Sequence, residues 1–217
     1  MSQATESNYV ALDYEEEIVN AATHQLGLVL GVIGTGVLLS HAGHLNLVQT
    51  VSCLTYAGTL VLVYAISTLS HAIQQYDRKE TLRAWDQGVI YFLIVGTYTP
   101  FVTSFLPATR MWPVMIAMWS AAAVGFYSKV FARYRVSEAF SVISYIALGW
   151  LPALSFIGSV HFQCVAWTAF GGVCYTAGTL FLSWDRRVKF FHGVWHVFVM
   201  LGSSCHFYAI YEFVVTG

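Results

Sequence analysis

The sequence predicts an all-α membrane protein with seven spanning helices, and three observations support this fold class. Of the 217 residues, 57% are hydrophobic and 10% are charged, whereas soluble domains contain about 25% charged residues. Long stretches lack Asp, Glu, Lys and Arg entirely, and such stretches can cross a bilayer because a charge at the centre of a span is costly. The apolar stretches do not alternate with a period of two, which disfavours a transmembrane β-barrel.

The charge-free stretches give the number of helices. Residues 18–76 and 139–184 provide 59 and 46 charge-free positions, and each is long enough for two helices of about 20 residues and a turn. Three shorter stretches, 87–109, 111–128 and 190–211, suit one helix each. In chain order, the expected spans are 18–40, 47–71, 85–107, 111–129, 137–157, 161–183 and 190–214.

The first seventeen residues are expected to form a short acidic cytoplasmic segment, and residues 18–217 a seven-helix transmembrane domain. The segment reads "MSQATESNYVALDYEEE" and lacks the basic, apolar and small-residue regions of a cleaved signal peptide. We therefore expect the first span to act as an uncleaved insertion signal.

The basic residues orient the bundle, because positive charge is retained on the cytoplasmic side. Nine of the ten Lys and Arg residues fall after spans two, four and six, and the tenth, Arg110, lies on the opposite side. These nine are Arg78, Lys79, Arg83, Lys129, Arg133, Arg135, Arg186, Arg187 and Lys189. The N-terminus is therefore expected inside and the C-terminus outside, in a multi-pass protein of the cell membrane, specifically a bacterial inner membrane.

Ionisable groups inside spans usually face the bundle interior and are paired or functional. Several such groups share one depth, at the cytoplasmic ends of spans one, two, three and seven. They are His24, Ser67, His71, Asp86, His192 and His196. A functional site can form at that depth.

His192 and His196 are four residues apart, so their rings project from one helical face and can chelate one ion. If span two neighbours span seven, His71 completes a three-histidine set with a fourth position for water, as in catalytic zinc sites. A single His-x-x-x-His in an apolar helix is, however, more often a pair of histidines hydrogen-bonded to neighbouring helices. His71 and Asp86 at the same depth favour the metal.

Asp86 and Ser67 are the candidate catalytic residues. The short turn 72–84 can return Asp86 to the same end as His71. Asp86 could be a fourth ligand, could hold and deprotonate the zinc water, or could accept a ring N–H from a ligand histidine. The Ser67 hydroxyl could polarise a substrate oxygen, orient water, or simply bond a carbonyl of its own helix. Residue spacing does not choose among these roles.

The remaining histidines are expected to lie outside this set. His206 lies ten residues beyond His196, about 15 Å along the helix axis, so hydrogen bonding inside the bundle is its expected role. His24 and Asn20 form a polar pair that could hydrogen-bond the ligands. His41, His44 and His161 belong to outer loops or their edges.

Five sequence blocks resemble the hemolysin III-like branch of the progestin and adipoQ receptor superfamily. They are "EEEIVNAATHQLG" (15–27), "STLSH" (67–71), "LRAWDQGVIYFLIVGTYTPF" (82–101), "YIALGW" (145–150) and "FHGVWHVFVMLGSSCHF" (191–207). The resemblance runs from about residue 15 to the C-terminus. Gln87 is a departure, because the bacterial pattern has Asp-His where this chain has Asp86 and Gln87.

The resemblance implies zinc near the cytoplasmic face, bound by His71, His192 and His196, with Asp86 and Ser67 as the other site positions. The superfamily includes alkaline ceramidases and adiponectin receptors, so the resemblance implies metal-dependent hydrolysis of a lipid amide or ester and a role in membrane-lipid homeostasis. Membrane lipids are the expected partners, and no nucleic acid is expected.

Two other functions compete with the hydrolase. A non-enzymatic regulator of membrane fluidity would use zinc to tie spans two and seven together. A pore-forming cytolysin is disfavoured, because no span carries a regular polar stripe that could line a water channel.

Overall fold

Seven helices follow one another along the chain, joined by short connections. The structure is a computed structural model that describes residues 3–132 and 137–217, and side chains from Tyr14 onward except that of Glu138. The helices are α1 (Gln3–His41), α2 (Leu47–Ala72), α3 (Tyr76–Phe105), α4 (Ala108–Val130), α5 (Glu138–Trp150), α6 (Phe162–Trp184) and α7 (Phe191–Ile210). Short 3₁₀ turns follow α1 and α5, and a π-helical turn, Tyr211–Val215, follows α7.

Length and composition allow these helices to cross a membrane. Within the described residues, six helices are long and apolar enough to span, and residues Ala139–Ser155 form a shorter apolar helix. The prediction of an all-α polytopic protein with seven helices is confirmed.

Three boundaries differ from the expected ones. α1 begins at Gln3 rather than at residue 18, because the acidic segment continues the same helix. The turn expected over 72–84 is only three residues long, since α3 begins at Tyr76. The fifth span is interrupted after Trp150, where Pro152 begins a 3₁₀ turn, because proline cannot continue the α-helical hydrogen bonding.

The basic residues lie closer to the helices than the sequence suggested. Arg78, Lys79 and Arg83 belong to the first turns of α3 rather than to a loop, and Lys129 is buried on α4. Arg133 and Arg135 lie outside the described residues.

The bundle closes between its first and last helices. α1 packs on α2, α2 on α3, α3 on α4 and α6 on α7, while α7 also packs on α1. α3 is the central helix: 67% of its most apolar 18-residue window is buried, against 22% for α1. Gly96 permits the close approach of α3 to α2, because a Cβ there would overlap the Thr59 side chain.

α1 packs on both α2 and α7, and α2 packs on α3. The last turn of α2 therefore lies near the first turns of α7 and α3, on the side of the bundle where His71 approaches His192. At the opposite end of α2, the Asn46 side chain caps the helix in a capping box with Gln49, which fixes where the helix starts.

Candidate metal centre

Three histidines converge at the cytoplasmic end of the bundle. His71 lies in the last turn of α2, and His192 and His196 lie in the first two turns of α7. One ligand atom from each ring falls within 4.8 Å of the others. The ring centroids are 5.0 Å apart for His71 and His192, 5.1 Å for His71 and His196, and 4.6 Å for His192 and His196.

Each of the three rings is held through its Nδ1 atom. His71 Nδ1 lies 2.6 Å from Glu17 Oε2, and His192 Nδ1 lies 2.8 Å from Asp185 Oδ2. His196 Nδ1 lies 3.0 Å from Thr23 Oγ1 and 3.2 Å from the backbone carbonyl oxygen of Asn20.

These partners fix the tautomer of the rings. A carboxylate and a backbone carbonyl can only accept, so each Nδ1 must carry a proton and donate it. The Thr23 hydroxyl has one proton, which is directed to the carbonyl oxygen of Val19 or Asn20 at 2.9 Å, so its oxygen accepts from His196. The Nε2 atom of every ring is then left with a lone pair, which is the form that binds a metal.

The donor set fits zinc. His71 Nε2 is buried and has no hydrogen-bond partner within the part of the chain that the structure describes, which is costly unless a ligand satisfies it. Tetrahedral zinc with Zn–N bonds of 2.0–2.1 Å places its nitrogen ligands roughly 3.4 Å apart. From the observed limit of 4.8 Å, the rings would need to close by at most about 1.4 Å.

Asp86 lies beside this set but is not a member of it. Its carboxylate is near enough to interact electrostatically with His71 and His192, yet the described group of mutually close ligand atoms contains the three histidines alone. Ser70 Oγ donates to Asp86 Oδ2 over 3.4 Å. Asp86 therefore lies next to the position that a metal bound by the three histidines would occupy, without being one of its three nitrogen ligands.

The Ser67 side chain is 1% exposed and lies near Asp86. Its hydroxyl faces the Asp86 carboxylate and makes no hydrogen bond of ordinary geometry within the described residues. Ser70, by contrast, bonds a carbonyl of its own helix, that of Ser67, at 2.9 Å. The Ser67 hydroxyl is therefore directed to the site rather than to its own helix.

The buried His24 ring packs against the three-histidine set. It is 4% exposed, its ring stacks on that of His196 with centroids 3.5 Å apart, and neither ring nitrogen has a partner among the described residues. The ring of Tyr64 meets its edge at 5.2 Å. The expected proximity of His24 and Asn20 to the histidine set is therefore what the structure shows.

The other histidines are separate from the centre. His206 is 3% exposed and stacks on Tyr175 at 5.4 Å, but its Nδ1 lacks the expected hydrogen bond within the described residues. His41, His44 and His161 are exposed.

Four contacts of the centre were missed by reasoning from the sequence: those of Glu17, Thr23, Ser70 and Asp185. Glu17, Asn20 and Thr23 are three residues apart, so their common helical face was readable. Nothing in the sequence marked Asp185, which stands between α6 and α7 among basic residues.

A cleft of about 200 Å³ lies between α1, α2 and α7. Gly31, Leu60 and Met200 contribute apolar walls, while Tyr64 and Ser203 contribute hydroxyl groups. Tyr64 also contacts His24, which stacks on His196, so these two rings connect the lining of the cleft to the three-histidine set.

Comparison with known proteins agrees with this architecture. The family described as "Haemolysin-III related" matches residues 12–207. The Hemolysin-3 homolog of Bacillus subtilis (strain 168) is 32% identical over 208 residues, covering 93% of this chain and 95% of that protein. Hemolysin-3 of Bacillus cereus is 31% identical over 208 residues, covering 93% of each chain.

A human protein is similar over a shorter length. The monocyte to macrophage differentiation factor of Homo sapiens is 30% identical over 135 residues, covering 59% of this chain and 54% of that protein. The match to the family covers most of the chain, and it includes all three histidines of the centre. This multi-pass membrane protein belongs to the haemolysin-III related family.

Proposed function

We propose that this protein is a zinc-dependent intramembrane hydrolase that cleaves a lipid amide or ester. The observation that carries the proposal is the set of three histidines, each held through Nδ1 with Nε2 left available, beside the Ser67 hydroxyl and the Asp86 carboxylate. Three nitrogen ligands with a nearby carboxylate are the composition of a catalytic rather than a structural zinc site.

The residues divide into holding and reacting groups. The Nε2 atoms of His71, His192 and His196 would hold zinc, which supplies a Lewis acid and an acidified water when bound. Asp86 accepts the proton from the attacking water as the water oxygen bonds to the acyl carbon, as a general base does. The Ser67 hydroxyl donates a hydrogen bond to the acyl carbonyl oxygen. The C–N or C–O bond then breaks, Asp86 returns the proton to the leaving amine or alcohol, and the fatty acid is released.

A lipid substrate agrees with the position of the centre. All four helices that contribute to it are candidate membrane spans, and the cleft lined by Tyr64 has an apolar wall with hydroxyl groups. An acyl chain would occupy the apolar part, and the scissile group would lie near His24 and the three histidines.

The test of this function combines metal analysis with a fatty-acid-release screen. Purified wild-type protein is expected to contain about one zinc per chain and to release fatty acid from at least one lipid amide or ester. Asp86→Asn and Asp86→Ala should retain zinc and lose at least about 100-fold in release rate, the usual contribution of a general base.

His192→Ala is the matched control, because it should lose zinc and activity together. Release that persists in both Asp86 variants would remove Asp86 from the mechanism. Absence of turnover by zinc-loaded wild type across the whole screen would overturn the hydrolase proposal.

One observation favours a second function, a non-enzymatic regulator of the membrane with a structural zinc. The histidines join α2 and α7, which are distant in sequence and touch each other less than either touches its main neighbours. A metal there would lock the two helices together. This alternative predicts that His192→Ala unfolds the protein while wild type turns over no lipid.

A further inference from the structure

α1 carries no ligand of the three-histidine set, yet it presents one polar face to it. Glu17, Asn20, Thr23 and His24 follow each other at intervals of three, three and one residues, which places them along one side of a helix. That face contacts two of the three histidines, His71 and His196.

We propose that α1 is the positioning element of the metal centre, and that zinc binding and docking of its cytoplasmic half are coupled. Glu17 orients His71, while Thr23 and the Asn20 carbonyl orient His196. This inference rests on the metal-binding part of the proposed function and not on its hydrolytic part.

The Glu17 carboxylate joins three helices at once. Its Oε2 accepts from His71 on α2, and its Oε1 lies 2.9 Å from Lys79 Nζ and 3.2 Å from Arg83 Nη2 on α3. The Glu17 side chain is 14% exposed, so loss of its charge would leave both His71 and Lys79 without their carboxylate. Removal of one partner from a mostly buried pair is costly.

His196 is held by α1 through two acceptors. The Thr23 oxygen and the Asn20 carbonyl share the single Nδ1 proton at 3.0 and 3.2 Å, and the His24 ring lies flat against the His196 ring at 3.5 Å. These contacts fix the direction in which the His196 ring points and the plane in which it lies. Outer partners of this kind change metal affinity by about 10- to 100-fold when they are removed.

The approach of α1 to α7 depends on a glycine beside His192. A Cβ on Gly193 would lie 3.2 Å from Val19 Cγ1 and 3.3 Å from Asn20 Oδ1, which is closer than about nine in ten real Cβ contacts. Between Tyr14 and Leu30, the buried residues of α1 are Asn20, His24 and Gly27, and the first two belong to the polar face. The polar face is therefore a large share of what docks this end of α1.

Coupling follows from reciprocity. If a docked α1 raises the zinc affinity by orienting His71 and His196, zinc must favour the docked α1 by the same factor. Weakening the outer contacts should then lower the affinity and also remove the effect of zinc on α1.

The test measures zinc affinity by competition with a chelating dye in detergent micelles. Glu17→Gln should weaken zinc binding by about 10- to 100-fold. Thr23→Val should weaken it by about tenfold or less, because the Asn20 carbonyl still accepts from His196, and Thr23→Ser should restore the affinity. Glu15→Gln is the matched control, since Glu15 is exposed and pairs with Lys189 instead.

Hydrogen exchange over residues 14–30 supplies a readout of α1 itself. Zinc should slow exchange there in wild type and in Glu15→Gln, and should have little effect in Glu17→Gln. Should Glu17→Gln fail to fold, the Thr23→Val and Thr23→Ser pair carries the test.

The outcomes separate the two proposals. Wild-type affinity in both Glu17→Gln and Thr23→Val, with α1 exchange indifferent to zinc, overturns the positioning role while leaving the metal site intact. A wild-type protein that binds no zinc overturns the metal site itself. Zinc binding with coupling but without lipid turnover upholds this inference and removes only the hydrolase.

Discussion

The Nδ1 atom of His192 bonds Asp185, seven residues earlier in the chain, over 2.8 Å. Asp185 stands where α6 ends, immediately before Arg186 and Arg187, so a negative group is held inside a basic connection. Asp185 holds the His192 ring as Glu17 holds the His71 ring. The contact of Asp185 is local in sequence, however, because the turn between α6 and α7 brings its side chain back to His192.

We expect Asp185→Asn to lower the zinc affinity by about tenfold. The amide oxygen would still accept from His192, but without the charge that strengthens the bond and raises the basicity of the ring. The side chains of Asp185 and His192 are both partly exposed, so the loss of zinc affinity should lie at the lower end of the range of about 10- to 100-fold. Dye competition on the purified protein checks it.

Asp77→Asn provides the control, because Asp77 is exposed in the first turn of α3, at the same end of the bundle as Asp185. This substitution removes one negative charge, as Asp185→Asn does. Equal affinities for Asp185→Asn and Asp77→Asn would show that the bond to His192 contributes nothing specific.

Helices α2, α6 and α7 meet at one hydroxyl group. Ser203 Oγ on α7 accepts from Tyr64 Oη on α2 at 3.0 Å and shares a hydrogen bond with Tyr175 Oη on α6 at 2.8 Å. Ser203 is 5% exposed. Since apolar burial gives little drive for association between helices in lipid, interhelical hydrogen bonds and close packing carry more of it.

Ser203→Ala should therefore destabilise the bundle by about 1 to 2 kcal/mol, because two buried tyrosine hydroxyls lose a partner and such bonds are worth about 0.6 to 1.7 kcal/mol each in membrane proteins. Reversible unfolding in mixed micelles measures the change.

Ser204→Ala is the comparison variant at the adjacent position. Ser204 is exposed and bonds the Met200 carbonyl of its own helix at 2.8 Å, so its loss should change stability by less than about 0.5 kcal/mol. A Ser203 variant as stable as the Ser204 variant would contradict the role given to this hydroxyl.

Three successive glutamates of α1 reach two other parts of the molecule. Glu15 pairs with Lys189 and Glu16 accepts from the Phe190 backbone N–H, both in the connection before α7, while Glu17 binds His71 on α2. Phe190 has φ of 66°, a left-handed conformation that is unusual for a residue other than glycine. The bond to Glu16 satisfies the first exposed amide at the start of α7.

The distribution of Lys and Arg residues predicts how the whole molecule is oriented in the membrane. Nine of the ten Lys and Arg residues were assigned to one side of the seven spans, and an excess of this size fixes topology. A C-terminal fusion to alkaline phosphatase should be active in cells, since this enzyme folds only outside the cytoplasm, and a C-terminal green fluorescent protein should be dark.

The same two reporters fused at the N-terminus give the control, with the opposite pattern expected there. A fluorescent C-terminal fusion would contradict the assigned orientation and would move the three-histidine centre to the outer face of the membrane.

The number of helices, their apolar composition and the common depth of the polar groups could be predicted from the amino-acid sequence alone. These properties follow from a local cost, that of placing a charge in hydrocarbon, which is readable residue by residue. The four-residue spacing of His192 and His196 is likewise local, because helix geometry alone puts both rings on one face.

Which side chains of different helices contact one another could be read only from the tertiary structure. The contacts of Glu17 with His71 and of Thr23 with His196 span 54 and 173 residues, and they depend on how α1 is rotated against α2 and α7. That rotation is set by close packing at positions such as Gly193, where many side chains must fit together at once. Spacing along one helix does not contain this information, which is why the three histidines and Asn20 could be predicted as site residues while Glu17 and Thr23 could not.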